Sequence, residues 1–195
     1  MRSLMNVQPV TLEGPTLRLE PLTLEHAPSL WPQVRPEIFQ HTLEMPRDAS
    51  YEAFEDWIRY FLGAPDSLLW ALCLRETGEA LGVSGYLEIR PRHRGLEIGR
   101  TWIGASHQGT RVNPESKYLL LRHAFEDLEA VRVQLKTDLN NLRSQRAIEK
   151  LGARREGVLR KYQIRSNGYI RDTVVYSIIA EEWPAVKAGL EARMA

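Results

Sequence analysis

Apolar and polar positions change period several times along the chain, and each change marks an element. Residues 16–22 alternate apolar with charged side chains, the period of a half-buried strand, and Pro21 places the end of that strand at or near a sheet edge. From Glu25 to Leu62 the pattern is helical but broken by Pro28, Pro32, Pro36 and Pro46. Its clearest stretch, residues 51–62, sets Phe54, Trp57, Ile58 and Phe61 on one face, with Asp48 or Ser50 as the cap. Strands follow at 68–75, 80–90 and 96–103, joined by a turn at 76–79 and a basic loop at 91–95. Connections this short predict an antiparallel meander. Beyond Ala105 a polar loop, residues 106–113, leads into a helix expected over 114–129, with Asn113 as N-cap and Pro114 at the first helical position. Tyr118, Leu121, Phe125 and Leu128 would be its buried face. Residues 131–137 read as a strand, and 141–151 as a helix closed by Gly152 with Leu142, Ile148 and Leu151 inward. Residues 158–165 and 169–180 form a hairpin turning at Ser166-Asn167-Gly168, and a short helix around 182–193 follows. One mixed α/β (α+β) domain is the economical reading.

Composition narrows the class. With 195 residues, 43% of them hydrophobic, and a formal net charge of +1, the chain can bury a core and is not disordered. Cys73 is the only cysteine, which excludes an internal disulfide and a cysteine metal cluster. Its apolar run, residues 68–74, is far short of the ~20 residues that span a bilayer. Residues 1–14 lack the apolar centre of a signal peptide, so a cytoplasmic protein without a membrane partner is expected. The small net charge hides an asymmetry: residues 11–60 hold nine acids against four arginines, and residues 131–172 eleven bases against four acids. Such a split suggests one face for an anionic ligand and another for a cationic one, although solvated faces of ordinary elements would read the same way.

A strand that passes through an irregular polar loop into a helix N-terminus is a general anion-binding device, because free N–H groups converge there with the positive end of the helix dipole. The segment from Trp102 to Ser116 is built this way. It contains neither G-x-x-x-x-G-K-[ST] nor G-x-G-x-x-G, so a P-loop or Rossmann site is not supported. The run Leu96-Glu97-Ile98-Gly99, then Trp102-Ile103, Gln108-Gly109, Asn141-x-x-Ser144, Ala147 to Ala153 and Glu156-Gly157 resembles the GCN5-related N-acetyltransferases (GNAT), and among them the RimJ/RimL type that acetylates protein N-termini. The likeness extends from Thr16 to Trp183. It implies a splayed, mixed, mostly antiparallel sheet flanked by helices, with residues 1–15 as an N-terminal extension, 16–183 as the acetyltransferase domain and 184–195 as a C-terminal helix. It also implies acetyl-CoA, wedged between strands 96–103 and 131–137, its pantetheine arm pairing with open strand backbone. The expected binding residues are Trp102, Ile103, Gly104, Gln108, Gly109, Thr110, Arg111, Val112, Asn113 and Lys117, then Asn141 and Ser144. Arg111 and Asn113 stand where that family's phosphate loop carries small residues, and arginine adopts the left-handed backbone that glycine allows only at a cost. Lys117, Arg146 and Lys150 are alternatives for the 3′-phosphate.

Direct acetyl transfer from a thioester needs a neutral amine, a base, donors for the carbonyl oxygen and an acid for the thiolate. At pH 7 an α-amine of pKa ~8 costs about 1.4 kcal/mol to deprotonate, and a lysine of pKa ~10.4 about 4.6 kcal/mol, so an N-terminal acceptor needs only a weak base. Glu97 resembles the strand glutamate that serves as base in some relatives; pairing with Arg90, Arg92 or Arg94 is its structural alternative. Ser144 is the candidate acid, and Asn141 with Ser144 equally fits a helix cap. The histidines show no metal spacing; His107 borders the loop, and His123 reads as exposed or at the core edge. Tyr162 and Tyr169 could line the acceptor groove or serve packing. The acceptor is expected to be a protein N-terminus, with a small amine such as an amino sugar, polyamine or amino-acid derivative as alternative. A catalytically silent module binding coenzyme A or RNA is the competing class, nucleic acid being disfavoured by the low net charge. A homodimer is compatible with the sequence.

Overall fold

The short connections close into one eight-stranded mixed sheet in the computed structural model, which describes residues 4–194. The first three residues of the expected N-terminal extension and Ala195 of the expected terminal helix lie outside the described residues. In chain order the elements are β1 (Leu12–Glu13), β2 (Leu17–Pro21), α1 (Ala27–Leu30), α2 (Tyr51–Leu62), β3 (Leu68–Leu74), β4 (Ala80–Arg90) and β5 (Gly95–Ile103). After them come α3 (Val112–Arg122), β6 (Arg132–Asp138), α4 (Leu142–Lys150), β7 (Arg154–Ile164), β8 (Ile170–Ile179) and α5 (Trp183–Met194). In space the strands run β1-β2-β3-β4-β5-β6-β8-β7. Every neighbouring pair is antiparallel except β5 and β6, which are parallel and joined through α3.

Strand alternation divides the buried side chains between two faces. Leu17, Leu19, Trp70, Tyr86, Leu96, Val133 and Tyr176 meet Leu119 and Leu120 of α3 and Leu190 of α5 in one core. On the opposite face Ala71, Cys73, Val83 and Trp102 meet Phe54, Trp57, Ile58 and Phe61 of α2. Ser50 caps α2 by accepting the Ala53 N–H at 3.1 Å. This second core stops at β5. On β6 and β8 the residues pointing to that face include Gln134, Lys136, Asp138, Thr173 and Ser177, with Val175 between the last two; they are mostly polar and largely buried, but they join no apolar core.

Three local expectations change. The third helix begins at Val112 with Arg111 as cap residue, which places Asn113 inside the first turn. Thr110 causes the shift by accepting the Val112 N–H through its hydroxyl at 3.3 Å. Leu142 is exposed, because α4 rests on the sheet through Ile148 and Leu151 alone. β7 begins at Arg154, earlier than apolar alternation showed, since its first residues pair with β8 while facing solvent.

Candidate active site

The cleft forms where β5 and β6 part. They pair only at Gly95↔Arg132, Leu96↔Val133 and Glu97↔Gln134, after which β5 continues to Ile103 and β6 to Asp138 without pairing to each other. β5 stays bonded to β4 on its other side, with an irregularity opposite Val83 to Gly85. Arg100 sits there at φ 48°, its guanidinium 4.1 Å above the Phe61 ring, which fixes the bend of β5 against α2. The β5 edge facing the cleft therefore offers strand backbone that no other strand takes up.

At the end of β5 the chain passes Gly104 and enters the loop. Trp102, Ile103 and Gly104 are buried, so they can present only backbone to a ligand in the cleft. Gln108 closes the loop by donating from Nε2 to the Ile103 carbonyl at 2.9 Å, and the Thr110 hydroxyl donates to the His107 carbonyl at 2.6 Å. Gly109 takes the left-handed conformation, φ 78°, with open space around it, whereas Arg111 is right-handed at φ −66°. The substitutions at 111 and 113 therefore cost no backbone strain, because glycine stands where the strain falls. The N–H groups of Gly109, Thr110, Arg111 and Asn113 find no acceptor among the described residues. Together with the α3 dipole they form an anion cradle. Arg111 is exposed beside it.

Lys117 is turned away from this cradle. Its ammonium is buried under the sheet and donates to the hydroxyls of Ser84 at 2.9 Å and Thr101 at 2.5 Å. Burial without a carboxylate pushes its pKa down to about 7. It therefore leaves the phosphate candidates, where Arg146 and Lys150 remain exposed on α4.

Glu97 closes the apex of the cleft, on the face that the second core leaves open. Its partner is Lys136, at 2.9 Å, and none of Arg90, Arg92 and Arg94. Lys136 also binds Glu88, and Gln134 donates to the Glu88 carboxylate at 2.8 Å. Burial raises the Glu97 pKa above the usual carboxylate range, and Lys136 opposes that rise. Burial works against the Lys136 charge, but Glu97 and Glu88 overcome it and hold its pKa above that of an ordinary lysine. Lys136 and Glu88 were not among the sequence candidates. The signal was present in period two, which puts Gln134, Lys136 and Asp138 on one face of a strand adjoining Glu97, and a lysine there needs a carboxylate.

Asn141 caps α4, its carboxamide oxygen accepting the Ser144 N–H at 3.0 Å, and this leaves the half-buried Ser144 hydroxyl available. Past the end of β6 opens a cavity of about 400 Å3, lined on one side by Pro36, Gln40, His41 and Met45 and on the other by Asp138, Asn140, Arg165 and Tyr169. Arg165 ties the two walls by donating to the Thr42 and Phe39 carbonyls. Tyr169 accepts from Asn140 at 2.7 Å, and Tyr162 lies beside Lys136. His123 is buried against Tyr86 and bonds Asp127, so it belongs to the core. Much of the basic cluster is spent internally: Arg132 on Glu156, Arg154 on Glu182, Lys136 on Glu97, with Arg165 and Arg171 buried. Among the described residues one group of possible metal ligands converges, Glu20, His26 and Cys73. Its donors are occupied: Arg18 and His26 bond Glu20, and His26 Nδ1 accepts from the Thr23 N–H. Among the described residues no helix is long and apolar enough to cross a membrane.

Comparison with known proteins gives the same frame. The family model of the acetyltransferase (GNAT) domain matches residues 16–154. A T. thermophilus protein provisionally described as an acetyltransferase is 45% identical, with a TM-score of 0.92 over 98% of this chain and 100% of that one. A GCN5-related N-acetyltransferase from Brucella melitensis is 28% identical, with a TM-score of 0.92 over 99% and 89% of the two chains. The uncharacterized N-acetyltransferase YoaA of Bacillus subtilis (strain 168) is 33% identical over 56% of this chain and 61% of its own. The chain spans about three fifths of the length of the curated relatives it matches.

Proposed function

The chain belongs to the acetyltransferase (GNAT) domain family, and from that premise we propose that it moves an acetyl group from acetyl-CoA to a primary amine, with a protein N-terminal α-amine as the favoured acceptor. Residues 16–183 would be the acetyltransferase domain, working in the cytoplasm, and α5 (Trp183–Met194) closes it at the C-terminal side. The observation that carries the reading is the splay of β5 from β6 beside a cradle of unpaired N–H groups, with a buried carboxylate at the apex.

These residues fit acetyl-CoA. The loop N–H groups and Arg111 suit its phosphates, and the free β5 edge from Glu97 to Ile103 suits its peptide-like arm. Bound there, it supplies an acetyl group already activated as a thioester. Gln108 and Thr110 keep the loop in shape, and Trp102, Ile103 and Gly104 contribute backbone alone. Glu97 accepts the proton of the incoming amine. Lys136 favours the ionised form of Glu97 against the burial that raises its pKa, and Glu88 holds Lys136 in place. Ser144, oriented by the Asn141 cap, stands ready to donate a proton to a departing thiolate. The cavity between residues 36–45 and the β7–β8 turn receives the acceptor. Of the acidic N-terminal residues, Glu37 and Glu44 adjoin the cavity-lining positions, while Asp48, Glu52 and Asp56 share the single cation of Arg47.

The test is thiol release from acetyl-CoA with a panel of alanyl, seryl and lysyl peptides, polyamines and amino sugars, alongside calorimetry of coenzyme A binding. Turnover with peptides and binding in the micromolar range are expected. Absence of coenzyme A binding at millimolar concentration overturns the reading, and binding without turnover of any amine makes the chain a silent member of its family.

A further inference from the structure

The two strands that flank β5 send side chains to one point on its face. Gln134 and Lys136 stand two residues apart on β6, and each reaches two carboxylates, Glu88 of β4 and Glu97 of β5. The carboxylates are used differently. Glu88 spends both oxygens, Oε1 on the Lys136 ammonium and Oε2 on the Gln134 amide at 2.8 Å. Glu97 spends one: Oε2 accepts from Lys136 at 2.9 Å and from Gln134 at 3.5 Å, whereas Oε1 takes no bond from the described residues and is not closed off. That Oε1 lies over Gly99, where an added Cβ would come within 3.0 Å of it, and Gly99 is past the last pair of β5 with β6. The free oxygen therefore points toward the part of the cleft that opens. Glu88 is the outer carboxylate, its side chain 41% exposed against 10% for Glu97. It stands at φ 46°, where β4 loses register with β5, and a glutamate is held in such backbone only where the surroundings fix its side chain.

We propose that Glu88 is a positioning residue for the acetyl transfer: it holds Lys136 and Gln134 jointly with Glu97, so that the cation is shared and Glu97 keeps one free oxygen able to take the proton of the amine. The inference rests on the proposed reaction and on Glu97 as its base. A lysine given wholly to Glu97 would keep that carboxylate ionised but make it a poor proton acceptor, and a lysine lost altogether would leave it buried and readily protonated. Division between two carboxylates sets the case between these extremes. The other charges around Glu97 are Arg100 on its own strand, Arg171 on β8 and Asp138 beyond Lys136 on β6, and neither arginine forms an ion pair with it among the described residues. From β7 the Tyr162 hydroxyl accepts from Lys136 at 3.4 Å. Glu88 thus acts through Lys136 and Gln134 and does not itself meet the amine.

The experiment compares wild type, Glu88→Gln, Glu88→Asp and Lys136→Met in two ways: kcat/KM against pH with one alanyl peptide, and carbon NMR of the glutamate carboxyls, in which the Glu97 signal is the one missing from Glu97→Gln. Glu88→Gln keeps the shape and gives the whole cation to Glu97. The acid limb of the profile and the Glu97 titration midpoint should both move down by about one pH unit, and the plateau should fall about threefold as the base weakens. Lys136→Met should move both midpoints the opposite way, a reversal that a merely structural role of Glu88 would not produce. Glu88→Asp, which keeps the charge on a shorter arm, should fall between wild type and Glu88→Gln, and it decides the matter if Glu88→Gln does not fold. Titration of the amine itself is common to every variant and cancels in the comparison. A Glu97 midpoint that stays or rises when Glu88 is replaced overturns the proposal, whatever the activity. A midpoint that falls in a protein releasing no thiol from acetyl-CoA keeps the clamp on Glu97 and refutes the acetyl transfer.

Discussion

Lys117, behind the β5–α3 wall of the cleft, and Lys136, in the β6–β8 wall, are both buried, yet their ammonium groups keep different company. Lys117 has only the hydroxyls of Ser84 and Thr101 and is driven toward neutrality. Lys136 is clamped by Glu88 and Glu97 and is held charged. The difference follows from the layers. Lys117 enters the core between α3 and the β4–β5 sheet, where apolar side chains surround it and the polar groups within reach are neutral hydroxyls. On the other face of the sheet Gln134, Lys136 and Asp138 of β6 join no apolar core, and Lys136 meets Glu88 of β4 and Glu97 of β5, so charge collects there. One wall thus offers neutral donors, chiefly backbone N–H groups, and the other offers fixed charges. A phosphate-bearing ligand suits the first and a proton-losing amine the second.

The strongest way to break this contrast is at Glu97. Replacement by Gln keeps the shape and removes the base, so turnover should fall by about 10²–10⁴-fold while coenzyme A affinity stays within a factor of two. Steady-state rates and calorimetry on one preparation decide it, and unchanged turnover would move the base elsewhere. Lys136→Met comes next. It leaves the Glu97 carboxylate buried beside Glu88 without its cation, a change that costs about 3–5 kcal/mol when one partner of a buried pair is lost. Glu97 is then harder to ionise, so the acid limb of the kcat/KM profile should move to higher pH. The destabilisation should shrink as pH falls and Glu97 takes up a proton. Denaturant midpoints from pH 5 to 8 follow both effects, and Arg at position 136 should restore the profile in part.

These two sites were not equally legible in the sequence. The loop from Gln108 to Asn113 could be read because a strand, a polar loop and a helix start are local features, and Glu97 stood out as an acid within an apolar strand. The helix start was misplaced by two residues because Pro114 tolerates several positions in a first turn and the Thr110 hydroxyl cap is not a sequence pattern. Lys136 and Glu88 were missed because one lies on β6 and the other on β4, and they meet across β5 in a register that the β4–β5 and β5–β6 pairings set together. Glu88 in addition lies at φ 46°, in an irregular stretch of β4 that strict alternation does not describe. Lys117 looked like a phosphate ligand by proximity in the chain. Its burial depends on the all-round packing of α3, which shows no clean amphipathic stripe.

Lys117→Met sharpens the contrast from the neutral wall. The folded-state pKa of about 7 lies below the free value of 10.5, so between these limits the unfolded chain binds more protons and stability rises with pH. At pH 7 and below the whole penalty is present, an upper bound of roughly 5 kcal/mol for a shift of this size, from which the two hydroxyl contacts return a part. Methionine removes the penalty, and Ser84 and Thr101 still bond each other at 2.7 Å. A gain of about 1–3 kcal/mol at pH 7, shrinking toward pH 9, is expected in urea melts. A loss would mean that Lys117 stays charged and finds a compensating group.

The smallest effect is expected at Arg111, the exposed cation on a wall otherwise built from backbone donors. If the N–H groups of Gly109, Thr110, Arg111 and Asn113 hold the phosphates, an exposed side chain adds only a screened contribution. Arg111→Ala should then weaken coenzyme A binding about fivefold at low salt and about twofold at 0.5 M salt, with turnover at saturating acetyl-CoA unchanged. The backbone is untouched, because Arg111 is right-handed and alanine takes that conformation without strain. Calorimetry at two ionic strengths separates the cases. A loss of a hundredfold or more would make this wall depend on a side-chain charge, as the opposite wall does, and the contrast would collapse. Equal affinity at both salt concentrations would place the phosphates on the N–H groups alone.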